Sequence, residues 1–187
     1  MFRSLILGVV VVLALAASAG ARQVIRETIH DERTFDIVDY CDVAGLTVRI
    51  DRVLDMRVKI APRGGDGFVY FLSHATQTET ITNLANGRSL TSAATVNEKD
   101  KQITDNGDGT LTILIMATGN AVLVGEDGKA IARGPGQLRF EILVDDAGTP
   151  SDPSDDVVTR LEVVKGSTGR NDDFCAAAVP ALAGATS

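Results

Sequence analysis

The sequence predicts an all-β fold, an antiparallel β-barrel or barrel-like sandwich of about eight to ten strands in one domain. Apolar and polar residues alternate with a period of two over long stretches, which is the pattern of half-buried strands. Glycine-containing turn sequences separate these stretches, and no convincing amphipathic helix lies between them. We expect this domain to span residues 22–178, a length that suffices for one buried core.

The clearest strand signal runs from Leu46 to Ile60. Even-numbered positions there are apolar except for Arg52, and odd-numbered positions are polar except for Val53. A two-residue hairpin would switch the buried register, which does not happen, so we expect one long coiled strand or two strands joined by a bulge or an odd-length loop. Such strands are typical of barrels and curved sandwiches. Arg52 is expected either to mark a bend or to face inward, where it would need a carboxylate partner or an anionic ligand.

Shorter segments predict the remaining strands. They lie near residues 24–29, 34–40, 68–74, 76–84, 90–96, 111–118, 121–124, 138–144 and 157–164. Asn86-Gly87, Asp108-Gly109 and Asp127-Gly128 supply the positive φ angles that tight hairpins require. Residues 76–95 are rich in Thr, Ser and Ala, so we expect either an exposed sheet edge or an outer surface there. Such an edge could pair with a protein partner.

The start of the chain predicts a signal peptide over residues 1–21. Arg3 precedes an apolar run from Leu5 to Ala17, and small residues follow up to Ala21. The apolar run is shorter than the roughly 18–20 residues that span a bilayer, so no stable membrane anchor is expected after cleavage. The predicted location is therefore secreted, either extracellular or associated with the cell envelope.

Two cysteines, Cys41 and Cys175, remain after such cleavage. In an oxidising compartment this pair predicts one disulfide, which we expect to tie the first strand to the last. The Ala-rich end of the chain is broken by Pro180, and residues 179–187 are predicted to form a flexible C-terminal tail.

Composition disfavours several classes of function. The formal net charge is −7, with 18 basic and 25 acidic residues, and an acidic surface repels phosphate backbones and anionic lipid. We therefore expect no nucleic-acid partner. Trp is absent and aromatic residues make up 4% of the chain, which disfavours a lectin. The chain contains no Gly-x-Ser-x-Gly motif, and no catalytic residue or cofactor is predicted.

A hollow barrel could hold a small apolar ligand. The candidate cavity residues are Arg52, Met56, Phe68, Tyr70, His74 and Phe140, joined by Leu46, Val48, Ile113 and Ile142. The alternative is that the apolar members simply fill a packed core. A barrel cyclase or isomerase is the least favoured hypothesis. It would need a polar group inside the cavity, for which Arg52 and His74 are the only candidates.

No metal site is predicted with any strength. Five carboxylates lie close together in sequence and are weak calcium candidates: Asp145, Asp146, Asp152, Asp155 and Asp156. The alternative is a solvated loop between two strands. The loop from Asp105 to Gly109 does not fit the EF-hand pattern, because Met116 stands where a bidentate Glu is needed.

Several short segments resemble those of the small, uncharacterised secreted β-rich proteins found widely in actinobacteria. They are Val38-Asp39-Tyr40-Cys41, the segment 82–91, Gly134-Pro135-Gly136-Gln137-Leu138 and Asp173-Phe174-Cys175-Ala176-Ala177. The resemblance implies no activity, cofactor or catalytic residue, and the acidic insertion at 151–156 departs from it. The predicted function is a non-catalytic structural or protein-interaction module, with a small-ligand-binding barrel as the alternative.

Overall fold

A computed structural model describes residues 24–63, 67–149 and 152–184 of the 187-residue chain. Its elements are β1 (Ile25–Ile37), a short 3-10 turn (Tyr40–Asp42), β2 (Val48–Pro62), β3 (Val69–Asn83), β4 (Ser89–Asp105), β5 (Thr110–Val124), β6 (Ala130–Arg133), β7 (Gly136–Asp145), β8 (Val157–Lys165) and α1 (Phe174–Ala183). The predicted signal peptide, residues 1–21, lies outside the described residues.

All eight strands belong to one antiparallel sheet. The strand order is β1-β2-β3-β4-β5-β7-β8, and the short β6 also pairs with β5. The antiparallel all-β class and the single domain are therefore confirmed. The sheet is open, with β1 and β8 as its two edges, and no barrel closure is found among the described residues.

Of the two alternatives predicted for residues 76–95, the structure shows the outer surface and not the sheet edge. This segment falls in β3 and β4, and each of these strands pairs with a neighbour on both sides. The Thr residues of β3 alternate with inward-facing residues such as Ala75 and Ile81, so the small polar side chains mark the outer face of a central strand. Composition alone does not distinguish that outer face from an edge.

The sheet is strongly curled. Ile60 on β2 and Val158 on β8 line the same cavity, although five strand spacings separate them in the sheet. In a flat sheet these strands would be about 24 Å apart. Curling creates a concave face, which carries the buried even-numbered residues of β2, such as Val48 and Leu54, and a convex face that is exposed.

Helix α1 covers one end of the concave face. Asp173 caps it, because its side chain accepts a hydrogen bond from the backbone N–H of Ala176. Ala178 and Leu182 are fully buried against a core formed by β2, β3, β4, β5 and β6. This apolar group is completed by Val48, Ile50, Ile81, Leu90, Leu123 and Ala132.

The end of the chain differs from the flexible tail predicted for residues 179–187. Residues 179–183 belong to α1 instead of a flexible tail, and residues 185–187 lie outside the described part. Two side chains of the β3–β4 turn anchor the helix end, since Asn83 and Asn86 donate to the carbonyl oxygen of Leu182 over 3.1 and 2.9 Å. These contacts come from residues far away in sequence, so the Ala-rich composition and Pro180 gave no sign of them.

Cys41 and Cys175 form the predicted disulfide, with their Cα atoms 5.5 Å apart. The bond ties the 3-10 turn before β2 to the first turn of α1, instead of joining the first strand to the last. It therefore fixes α1 over the end of the sheet. No helix in the described part of the chain is long and apolar enough to cross a membrane.

Candidate functional site

The concave face has two apolar ends separated by a polar middle. One end is the core beneath α1. The other, which we call the open end, contains buried Leu111, Ile113 and Val144. Between them lies Arg52, which is in register with Arg33 on β1 and with Glu79 on β3.

Arg52 faces inward, which is one of the two positions that the sequence predicted for it. Its Nη2 atom lies 3.2 Å from Oδ2 of Asp31, and its guanidinium stacks 5.8 Å from the centre of the Phe35 ring. The Nε atom of Arg52 is buried without a hydrogen-bond partner among the described residues. Burial raises the pKa of Glu79, while the nearby charge of Arg52 opposes that rise. The polar middle is thus an ion-paired cluster within the sheet.

A cavity of about 210 Å³ occupies the open end. Its lining is apolar except for two carboxyl groups, those of Asp100 and Asp156. The apolar lining residues are Ile60, Val69, Phe71, Ile103, Leu111, Ile113, Ile115, Ile142, Val144, Pro153 and Val158. A site of this volume is smaller than typical pockets for drug-sized ligands, which measure roughly 300–1,000 Å³.

Asp100 lies at a bulge in β4. The regular pairing of β3 with β4 ends at Leu72 and Lys99, and the β4–β5 register shifts between Asp100 and Gln102. The backbone N–H of Phe71, just beyond the last β3–β4 pair, donates to Oδ2 of Asp100 over 2.7 Å. Burial raises the pKa of Asp100 to about 6, although this hydrogen bond opposes the rise.

Asp156 approaches the same cavity from the loop before β8. Burial raises its pKa to about 6, and the neighbouring carboxylates of Asp155, Asp146 and Asp152 add to the rise. The other acidic residues of this loop accept local hydrogen bonds, as Asp152 does from Ser154. Within residues 24–63, 67–149 and 152–184, no three acidic, His or Cys side chains are arranged to hold a metal ion. Four of the five calcium candidates thus accept hydrogen bonds within their own loop, and the fifth, Asp156, lines the cavity.

The structure disperses the six residues predicted to line a cavity. Arg52, Met56 and Phe140 lie on the concave face, and Phe68 packs against the open end. Tyr70 and His74 lie on the convex face because their parity in β3 is opposite to that of buried Ser73. None of the six lines the cavity of the open end, whereas Ile113 and Ile142 of the wider predicted set do.

His74 has an ordinary surface environment. Its Nδ1 atom lies 2.8 Å from Oδ1 of Asn97 on the neighbouring strand. Because Arg52 faces the opposite side of the sheet, the two cannot act on one substrate.

Sequence reasoning identified the segment 157–164 as a strand but missed its exposure. All nine residues of β8 are exposed, and five apolar side chains have exposed fractions of 42–60%: Val157, Val158, Leu161, Val163 and Val164. β8 pairs with β7 on one side and, in the described part of the chain, with no strand on the other. The apolar strand near the end of the chain could have indicated this exposed edge, because the last strand of a meander has only one sequential neighbour to pair with.

The opposite edge is protected by charge. On β1, His30 lies 2.8 Å from Asp55, Asp36 lies 2.9 Å from Arg49, and Asp31 binds both Arg33 and Arg52. Charged edge strands discourage pairing with another chain. β8 has fewer charges, at Arg160, Glu162 and Lys165, so it is the edge with the greater capacity for association.

Comparison with known proteins found no matching family model, no matching curated protein and no matching solved structure.

Proposed function

We propose that this protein is an exported, non-catalytic structural module of the cell envelope or medium that self-associates by antiparallel pairing of β8 with β8 of a second copy. The observation that carries this proposal is the contrast between an exposed apolar edge at β8 and a charged, ion-paired edge at β1. Burying apolar surface is the dominant favourable term in most association between proteins.

The sequence of β8 favours one register. Between two register shifts, the stretch Arg160–Val163 pairs regularly with β7. If two β8 strands pair about Leu161, Arg160 of each copy lies opposite Glu162 of the other, which gives two cross-strand ion pairs. Moving the centre to Arg160 or to Glu162 places like charges opposite each other. A second copy of this chain is therefore the partner whose charges complement the edge.

A like-charged pair within the sheet also favours a second copy as the partner of β8. Glu162 lies directly opposite Glu141 on β7, and neither forms an ion pair in the described part of the chain. Like charges directly opposite each other in a sheet destabilise it. In the proposed dimer, Arg160 of the second copy lies on the free side of Glu162 and offsets this repulsion.

Export is supported by the disulfide, since such bonds persist in oxidising compartments and are rare in the cytosol. The signal-like segment 1–21 and the resemblance to secreted actinobacterial proteins remain predictions that agree with it. The non-catalytic role is supported by the separation of Arg52 and His74 on opposite faces of the sheet.

The test uses the oxidised protein with charge variants of β8. We expect the wild-type protein to dimerise, as measured by light scattering after size exclusion. Arg160→Glu and Glu162→Arg should each weaken the dimer at least about fourfold, because two ion pairs of about 0.2–1 kcal/mol become repulsions of similar size. The double variant R160E/E162R should restore it. Lys129→Glu, in the turn between β5 and β6, is the control for a charge change away from the edge.

A wild-type protein that stays monomeric would contradict the proposal. So would single variants that dimerise as strongly as the wild type. Circular dichroism of each variant separates loss of association from loss of folding.

A second candidate function is the binding of a small apolar ligand. It is favoured by one observation, the apolar cavity that contains Asp100 and Asp156. Native mass spectrometry of the protein secreted by a bacterial host tests it. Excess mass that disappears on denaturation supports ligand binding, whereas a bare chain, alone or as a dimer, counts against it.

A further inference from the structure

One row of residues crosses the convex face of the sheet. Each member lies in register with the next on the neighbouring strand, from β1 to β8. In order, the row consists of Arg26, Lys59, Leu72, Lys99, Met116, Arg139 and Lys165. We call it the cationic row, because five members are basic and none is acidic.

The cations of the row lie outside the ion pairs formed among the described residues. None of its five cations forms an ion pair with a carboxylate of the described residues, whereas Arg33, Arg49 and Arg88 elsewhere do. Neighbouring strands lie about 4.8 Å apart, so seven strands place these charges along roughly 29 Å. The overall negative charge does not cancel this local field, because salt screens charges beyond about 8 Å at physiological ionic strength.

The row also has features that are unfavourable without a ligand. Arg26 lies directly opposite Lys59, and Arg139 lies directly opposite Lys165. Such like-charged pairs destabilise a sheet. In addition, the Nε atom of Arg139 is buried and has no hydrogen-bond partner among the described residues. An anion lying along the row would offset the repulsion between these cations.

The shape of the sheet indicates what kind of anion fits. The row runs across the strands and therefore follows the curl of the convex face, so a flat membrane would contact only part of it. A flexible chain can follow the whole row. Phosphate suits a mixture of Arg and Lys, because Arg binds it through two parallel hydrogen bonds and Lys as a point charge. The row contains no aromatic side chain on which nucleic-acid bases could stack.

We propose that the cationic row binds a flexible linear polymer of phosphate groups that carries no bases. This site lies on the convex face, away from the cavity, and it shares Lys165 with the proposed pairing strand β8. The net charge predicts an acidic surface that repels phosphate, and the cationic row is a local exception to that prediction.

The experiment measures the binding of fluorescently labelled inorganic polyphosphate, long enough to span the row, by anisotropy at several salt concentrations. The variant Lys59→Gln with Lys99→Gln removes two central cations of the row. Its control, Lys129→Gln with Arg133→Gln, makes the same change in net charge at the β5–β6 turn and on β6. Both variants alter exposed or half-exposed side chains and are expected to fold.

We expect the row variant to bind at least tenfold more weakly at low salt. The slope of log affinity against log salt should fall by about 1.4, which is about 0.7 for each lost phosphate contact. The control should retain wild-type affinity. Equal weakening by both variants would overturn the proposal, since it would show a response to net charge alone. Binding to vesicles of anionic lipid without binding to polyphosphate would also overturn it.

Discussion

Phe71 and Asp100 are joined by a hydrogen bond in which the backbone N–H of Phe71 donates to Oδ2 of Asp100 over 2.7 Å. The bond satisfies a backbone group at the point where the regular pairing of β3 with β4 ends. It also holds a carboxyl group inside an apolar cavity, where burial raises its pKa to about 6. This arrangement has a measurable consequence for stability.

Asp100 should make the protein less stable as the pH rises. Its pKa is about 6 in the folded state against 3.8 in the unfolded chain, so the folded state binds more protons between these values. The free energy of unfolding therefore falls as pH rises through this interval, by about 2–3 kcal/mol for this group. Asp100→Asn keeps an acceptor oxygen for Phe71 and should reduce the loss between pH 4 and pH 7 by that amount.

Urea denaturation at several pH values measures this effect. Asp105→Asn, which removes an exposed carboxyl from the end of the same strand, is the control for the loss of one negative charge. A pH dependence of Asp100→Asn equal to that of the wild type would contradict the account of the cavity.

The disulfide should contribute strongly to stability. It closes a loop with a sequence separation of 134 residues. In the chain-entropy treatment a loop of this size stabilises the fold by about 4–5 kcal/mol. The double variant Cys41→Ser with Cys175→Ser should lose that amount in urea denaturation, and reduced wild-type protein should behave like it. A loss below about 1 kcal/mol would show that the bond adds little to the fold.

Leu182 should anchor the end of the chain. Its side chain is fully buried beneath the sheet, although the sequence predicted a flexible tail there. Leu182→Ala should destabilise the protein by about 2–5 kcal/mol, the usual range for removing a buried leucine side chain. Ala183→Ser changes the exposed neighbour and should be close to neutral in the same denaturation experiment. Equal stability of both variants would mean that α1 is not docked.

The sequence predicted the antiparallel all-β class, the disulfide and the inward position of Arg52 as one of two hypotheses. These features depend on alternation and turn residues, which are local properties. Which strand lies at an edge depends on the order of strands in the sheet, so the sequence left the Thr-rich segment 76–95 open between an edge and an outer surface, and the exposure of β8 was missed. The position of α1 depends on contacts of Leu182 with Asn83 and Asn86, which lie far away in sequence.

Which residues line the cavity was also not predictable from the sequence alone. His74 and Tyr70 were predicted to line it, but one-residue parity in β3 places them on the convex face. Asp100 was not predicted, because the strand expected near residues 90–96 ended before it, whereas β4 continues to Asp105 and Asp100 has the inward-facing parity of Leu90. The bulge after Asp100 then turns Ile103 inward, and no composition or spacing signal marks that bulge.

The proposed register of β8 can be tested by a cross-link. Leu161 lies at the centre of the proposed pairing, opposite itself in the second copy, so its two Cα atoms would be about 4.5–5.5 Å apart. Leu161→Cys should therefore form a disulfide-linked dimer on a non-reducing gel. Val163→Cys, two residues away on the same strand, should not, because the two copies of this residue lie far apart. Equal cross-linking of both variants would contradict the register.

The central claim is that two copies of the chain pair through complementary charges on β8, and mixing two single variants tests it most directly. Arg160→Glu places acidic residues at both positions 160 and 162, and Glu162→Arg places basic residues at both. Each variant alone should dimerise more weakly than the wild type, whereas an equimolar mixture should form a one-to-one heterodimer about as tight as the wild-type dimer in sedimentation equilibrium. A mixture that associates no more tightly than either variant alone would contradict the account.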